Sequence, residues 1–312
     1  EYDRFGKLSF NSTSSYDNVD KIVFSFTGIT DLQIDDIQVG APVIDMRNPL
    51  VSAVSVPEND TYSIGDELSF TVTFDENITV SGETSELYLD IGGVTRTATY
   101  DTKSANSITY TYKVQAGDID TDGITVGELD PAGSTISDAA GNPANLTLNN
   151  VGATAGVRVD GVAPAITGTI TPPDNGTYAA GSTLDFVVTF DDNVTITGAN
   201  SRLELTIGTT PVFATPLSQT ANSITYRYVV QAGNLDTDGI AIRGLTLNGT
   251  TIRDAAGNNA DVSLAGHLPS LGGVRVDAVA PAVLGNITAP TAGSYRAGEV
   301  LACKVTINVN IV

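Results

Sequence analysis

Nothing constrains this chain more than its repetition of itself. Tyr62-Ser63-Ile64-Gly65-Asp66 recurs as Tyr178-Ala179-Ala180-Gly181-Ser182, and Thr73-Phe74-Asp75-Glu76-Asn77 recurs as Thr189-Phe190-Asp191-Asp192-Asn193. Ala105-Asn106-Ser107-Ile108-Thr109-Tyr110 returns as Ala221-Asn222-Ser223-Ile224-Thr225-Tyr226, and Asp138-Ala139-Ala140-Gly141-Asn142 as Asp254-Ala255-Ala256-Gly257-Asn258. Every pair is offset by 116 residues. Solenoid repeats run to roughly 20–50 residues, so this period belongs to whole domains stacked in tandem.

Within each copy the apolar residues alternate at period two, the signature of strands with one buried face. Leu68, Phe70, Val72 and Phe74 form one such row, and Leu184, Phe186, Val188 and Phe190 repeat it. Gly92-Gly93, Ala116-Gly117 and Asp122-Gly123 punctuate the runs as turns. No stretch shows a helical period with caps. The pattern predicts an all-β chain of tandem immunoglobulin-like β-sandwich repeats, each with about seven strands.

Between the copies lies Gly156-Val157-Arg158-Val159-Asp160-Gly161-Val162-Ala163-Pro164, answered 117 residues later by Gly273-Val274-Arg275-Val276-Asp277-Ala278-Val279-Ala280-Pro281. A Val-x-Val strand ending on an aspartate, with proline four residues on, reads as an extended joint. Four segments follow. Residues 1–44 read as the last strands of a preceding β-sandwich, of jelly-roll type, because Ile22, Phe24 and Phe26 alternate outside the repeat. Residues 45–160 and 161–277 are the two full repeats, and residues 278–312 begin a third. The chain thus reads as a piece of something longer.

Charge narrows the function. Thirty-six acidic side chains against fifteen basic ones leave a formal charge of −21, which argues against nucleic-acid binding and suits cation binding. The single cysteine, Cys303, cannot form an internal disulfide, and its place in the repeat is that of Phe70 and Phe186, an inward strand position. No run of eighteen apolar residues is present to span a membrane as a helix. The only histidine, His267, has no acid cluster or nucleophile near it in sequence, and no catalytic constellation can be assembled, so the expectation is a non-enzyme.

Metal chemistry is the stronger signal. Asp118-x-Asp120-x-Asp122-Gly123 is answered by Asn234-x-Asp236-x-Asp238-Gly239, oxygen ligands at alternate positions before a glycine, as an EF-hand calcium loop begins. The twelfth position is Leu129 or Leu245, so the bidentate glutamate is missing and other ligands are required. A solvated acidic turn is the plainer alternative. Strand parity supplies those ligands: with each strand reversing the last, Asp75, Glu76, Asp138 and Asn142 fall at the leading pole of the first repeat beside Asp45. The Asp118–Asp122 loop falls at its trailing pole beside Asp160. There the next repeat brings Asp191, Asp192, Asp254 and Asn258. Asp277 marks the following joint with Asn234, Asp236 and Asp238, but Asn308 and Asn310 stand where Asp191 and Asn193 stood, so this joint should fill with calcium after the one at Asp160.

The run GTYAAGSTLDFVVTFDDNVTITG, followed by LELTIG, SITYRYVVQAGNLDTDGIAI, LNGTTIRDAAGNNADVSLAG and VRVDAVAP, resembles the bacterial Ig-like, cadherin-like repeats of giant surface adhesins and of the cyanobacterial swimming-motility surface protein. The resemblance covers residues 45–283 and the partial third copy. It implies an extracellular, cell-surface or secreted extender whose joints bind Ca2+. Its partners would be calcium, neighbouring domains of the same long chain, and extracellular glycans engaged through other domains. Neither nucleic acid nor direct membrane insertion is implied. Two other readings stand beside it: a carbohydrate-binding module supported by Ig-like domains, and a self-assembling filament subunit that pairs through residues 278–312.

Overall fold

A computed structural model describes residues 45–307. The expectations for residues 1–44 and for Asn308 and Asn310 lie outside the described residues.

The alternating rows form strands as the pattern requires, although more and shorter ones than seven per copy. The first copy holds β1 (Val51–Ser55), β2 (Asp60–Ser63), β3 (Glu67–Phe74), β4 (Thr79–Ser81), β5 (Glu86–Ile91) and β6 (Val94–Lys103). It continues with β7 (Ser107–Lys113), β8 (Ile119–Asp120), β9 (Thr125–Asp130), β10 (Thr135–Ser137) and β11 (Val157–Asp160). The second copy repeats the set from β2 onward, the place of β1 being held by isolated bridges, with β12 (Gly176–Tyr178), β13 (Thr183–Thr189), β14 (Thr195–Thr197), β15 (Arg202–Ile207) and β16 (Thr210–Gln219). Its remaining strands are β17 (Ser223–Val229), β18 (Leu235–Asp236), β19 (Ala241–Thr246), β20 (Thr251–Arg253) and β21 (Val274–Asp277). The excess over seven arises because two- to four-residue strands at the sheet margins, such as β4, β8 and β10, are too short for periodicity to reveal.

By its own packing the chain forms two compact units. The first holds the described residues up to Pro57 with Leu68–Tyr112 and Thr125–Thr154. It contains a sheet of order β1-β3-β7-β6-β5-β9 and the β10-β4 pair. Leu68, Phe70, Val72 and Phe74 are all buried along β3. The β5–β6 hairpin turns on Gly92 and Gly93, both at positive φ (59° and 84°), so Ile91 pairs directly with Val94. Two consecutive left-handed residues give the turn whose twist matches the flanking strands, and glycine adopts them without strain.

The second unit holds Glu58–Glu67, Lys113–Ile124 and the described residues from Ala155 onward. The β2-β11-β8 sheet lies here, together with a two-sheet sandwich of β13-β17-β16-β15-β19 and β12-β21-β18, and the β14-β20 pair. Leu184, Phe186 and Val188 of β13 meet Tyr226 of β17 and Val274 and Val276 of β21 in one hydrophobic core. Each such aromatic or aliphatic side chain taken fully out of water contributes about 1.5–3 kcal/mol, offset by the entropy of ordering it. The core contains one repeated polar pair. The Tyr226 hydroxyl donates to Ser201 Oγ (3.1 Å), and in the first unit the Tyr110 and Ser85 hydroxyls lie 3.0 Å apart. Burial pushes the Tyr110 hydroxyl up to about 12, against the opposing effect of the Ser85 hydrogen bond.

Both edge strands β9 and β19 break register against their neighbour, at Leu87/Leu89 and at Glu204/Leu205. A bulge on an edge strand twists its free hydrogen-bonding groups away from a flat partner, which disfavours edge-to-edge association. Beyond β21, the bridges Val283↔Ile307 and Thr288↔Lys304 reproduce Ile166↔Phe190 and Thr171↔Val187 of the second copy. Cys303, expected inward at the Phe186 position, is exposed. The reason is topological: Phe186 is covered by β15–β17 and β21, and no equivalent of these strands follows Cys303 among the described residues.

Candidate metal centre

Three of the acids singled out from the sequence meet in the first unit. Carboxylate oxygens of Asp45, Glu76 and Asp138 all lie within 4.8 Å of one another, the only such group of His, Cys, Asp or Glu side chains among the described residues. Asp138 is fixed by its own turn. Asn142 donates its backbone N–H to Asp138 Oδ1 (2.8 Å) and its side-chain amide to Asp138 Oδ2 (2.7 Å). The same amide reaches the Asp45 carbonyl (3.0 Å), so the joint backbone is tied to the Asp138 turn. Asp45 Oδ1 accepts the Arg47 N–H (3.0 Å), which orients the carboxylate.

Glu76 arrives from the end of β3. Its Oε1 is buried and has no hydrogen-bond partner. A buried carboxylate oxygen without a donor is costly unless a cation or a proton answers it. Burial pushes the Glu76 carboxyl above its usual range; Asp45 adds to this, Arg47 opposes it, and Asp138 and Asp75 add further. Asp138 behaves differently. Its burial alone would raise it, but the hydrogen bonds from Asn142, Gly141 and Ala140 outweigh that and hold it below the ordinary aspartate value. An ionised Asp138 beside a Glu76 that lacks a donor is a donor set of hard oxygens, of the kind calcium takes.

Other expected ligands are engaged elsewhere. Asp75 accepts the Leu50 N–H (2.8 Å) and forms an ion pair with Arg47, so it fastens the joint to the end of β3. Asp191 does the same for Ala165 (2.8 Å). The EF-hand-like acids are turn formers. Asp118 Oδ2 accepts the Gln115 N–H (2.8 Å), and Asn234 Oδ1 accepts the Gln231 N–H (2.8 Å) and the Tyr228 hydroxyl (2.7 Å). Asp120 Oδ1 accepts the Gly123 N–H (2.8 Å), while Asp236 accepts from Gly239 (2.7 Å) and Gly208 (2.6 Å). Asp118, Asp120 and Asp236 are buried by these turns, whereas Asp122 and Asp238 are exposed. The alternate oxygens thus also serve local turns, in which a short side chain accepts a backbone N–H three residues away.

Parity correctly puts the β8 loop beside the linker aspartate, because Ile119 pairs with Asp160 and Asp120 with Val159. The second repeat also reaches this place, but through an amide rather than through carboxylates. Asn258 donates to Asp254 Oδ2 (2.8 Å) and to the Asp160 carbonyl (2.8 Å). Asp192, the counterpart of Glu76, is exposed, and its Oδ1 accepts the Asn193 N–H (2.6 Å). One methylene shorter than glutamate, it does not join Asp160 and Asp254. At the next joint Asp277 Oδ1 accepts the Val279 N–H (3.2 Å). The Ile64 N–H that fills Asn258 was not legible in advance, since no motif marks a backbone donor from another repeat.

No protein family and no curated protein matches the sequence. Among solved structures the chain is similar to a three-immunoglobulin-domain segment of titin carrying a Glu-to-Ala substitution, at 10% identity and a TM-score of 0.29, covering 78% of this chain and 68% of that one. It is also similar to the plexin A4 full extracellular region, at 9% identity and a TM-score of 0.23, covering 79% of this chain but 19% of that one. The chain thus spans about a fifth of that plexin structure. The sheet order itself gives the architecture, an all-β chain in which the same set of sandwich strands recurs in tandem.

Proposed function

We propose that this chain is a non-enzymatic extender of a large bacterial cell-surface or secreted adhesin-like protein, stiffened by calcium where a joint meets a repeat. The observation that supports it is the buried, unpartnered Glu76 Oε1 set among Asp45 and Asp138. Asp45 belongs to the joint, while Glu76 and Asp138 belong to the repeat. A cation held by all three would fasten the one to the other, with Asn142 and Arg47 holding the ligands in place. Calcium takes six to eight oxygens, so water or further protein oxygens would complete the shell. Extracellular sites of this kind bind at about 10⁻⁴–10⁻³ M, and rigidity would then follow the calcium of the medium.

The test is calcium titration of the chain by calorimetry, paired with small-angle scattering in calcium and in EDTA. The expected result is one site near that affinity and a larger, better-defined maximum dimension when it is filled. Absence of calcium uptake, or scattering that chelation leaves unchanged, would count against the reading.

A further inference from the structure

The corner of the second repeat that corresponds to the candidate metal centre is tied together by hydrogen bonds of the protein itself. Asn258 is 3% exposed, and both its amide nitrogen and its Oδ1 are hydrogen-bonded. Its amide nitrogen donates to Asp254 Oδ2 and to the Asp160 carbonyl, both at 2.8 Å. Its Oδ1 accepts the backbone N–H of Ile64, also at 2.8 Å, from the turn that follows β2. One side chain thereby gathers three pieces of chain: the Asp254 turn of the second repeat, the end of β11, and the β2–β3 turn. Asn142 makes the first two of these contacts in its own unit.

The surroundings leave little freedom. Gly161, just past Asp160, donates to the Asp118 carbonyl (2.6 Å) and accepts from the Gly117 N–H (2.7 Å). A Cβ at Gly161 would sit 2.4 Å from the Gln115 carbonyl oxygen, so backbone meets backbone with no room for a side chain. At Gly257, beside Asn258, φ is +107° and the Cβ direction points toward Ser63 Oγ at 3.9 Å. A hydrogen bond removed from water is expensive to break, because the groups left behind have no solvent to turn to.

We propose that Asn258 is a metal-independent latch, a positioning residue that holds the Ile64 turn and the Asp160 carbonyl against the corner of the second repeat without a bound cation. It takes the role at this joint that the resemblance gives to calcium. An amide is suited to this, since it both donates and accepts, whereas a carboxylate here would face Asp254 with like charge. The inference stands apart from the calcium reading at Asp45, Glu76 and Asp138, because the groups it uses are different.

The experiment is amide hydrogen exchange on the full chain, read at Ile64, in calcium and in EDTA. We expect Ile64 to be protected equally in both. Asn258→Ala should speed its exchange by about tenfold or more, while Gly161, bonded to the Asp118 carbonyl, changes less. Asn258→Asp loses both amide donors and sets a like charge against Asp254, so it too should lose protection at Ile64, whereas Asn142→Ala should leave Ile64 untouched. Protection of Ile64 that appears only with calcium would overturn the proposal, and so would an unprotected Ile64 in the wild-type chain or an Asn258→Ala chain with wild-type exchange. The wild-type comparison decides the matter even if Asn258→Ala does not fold. Failure here leaves the Asp45 corner standing, since its own readout is calcium uptake.

Discussion

The corner at Asp138 and the corner at Asp254 are built from the same turn. In both, an asparagine four residues on returns its backbone N–H and its amide to the aspartate, and then reaches a linker carbonyl. They part company over one methylene and one neighbour. Glu76 is long enough to bring a third carboxylate to Asp45 and Asp138, whereas Asp192 turns back to its own following N–H. Asn258 receives the Ile64 N–H. The lesson is that one repeated turn can be joined by a third carboxylate or by a backbone N–H, and that the choice rests on residues the repeat does not keep constant.

The largest effect expected from this contrast concerns metal uptake. Glu76→Gln should weaken calcium binding by about tenfold to a hundredfold, while Asp192→Asn leaves it unchanged; calorimetric titration checks both. Equal losses from the two substitutions would erase the distinction between the corners. Next in size is a control on what the repeats share. Tyr110→Phe and Tyr226→Phe each leave a buried serine hydroxyl without its partner, and each should cost about 1–2 kcal/mol in urea denaturation. A clear inequality would mean that the two cores, and not only the corners, have diverged.

The smallest effect tests a surface difference. Arg227 reaches Asp185 through Nε (2.6 Å) and a terminal nitrogen (2.5 Å), while Thr111 and Ser69 occupy these places in the first copy. The hydrogen bond from Arg227 holds the Asp185 carboxyl below its usual value, against the raising effect of burial, with the guanidinium charge adding to the lowering. A depressed folded-state value means that the pair's contribution is present above the unfolded aspartate pKa of about 4 and is lost as pH falls through the folded value. Both side chains are about a third exposed, so Arg227→Thr should cost less than about 1 kcal/mol at pH 7, with the gap from wild type closing in strong acid. Denaturation curves at neutral and acid pH provide the check.

Much of this architecture is legible in the residues. The row Leu68, Phe70, Val72 and Phe74 reports its strand and its buried face, because period two leaves no other reading for a run flanked by turns. The Asp138–Asn142 pattern likewise announces a turn whose side chains bond locally. The alternate acids Asp118, Asp120 and Asp122 carry a double meaning in sequence. A hydrogen-bonded turn and a calcium loop draw on the same short oxygen-bearing side chains, and here Asp118 and Asp120 accept the N–H groups of Gln115 and Gly123, which the spacing of the acids does not announce. What separates the corners is also invisible in one dimension. The reach of Glu76 depends on where β3 ends relative to Asp45, and the partner of Asn258 lies 194 residues away.

One feature of the sheets bears on what happens when such a chain is pulled. β2 runs parallel to β11, with Asp60 against Val157 and Ser63 against Asp160, and β12 runs parallel to β21 in the same manner. In each copy an early strand is thus paired with the last one, and tension drawn from the two ends would drag them in opposite directions along their common axis. The hydrogen bonds between them would be strained together, as in a lap joint, and not opened one by one, as in a zip. Resistance of this kind depends on the direction of the force rather than on the depth of the core. The pull would have to overcome this short parallel seam before either strand could leave its sheet.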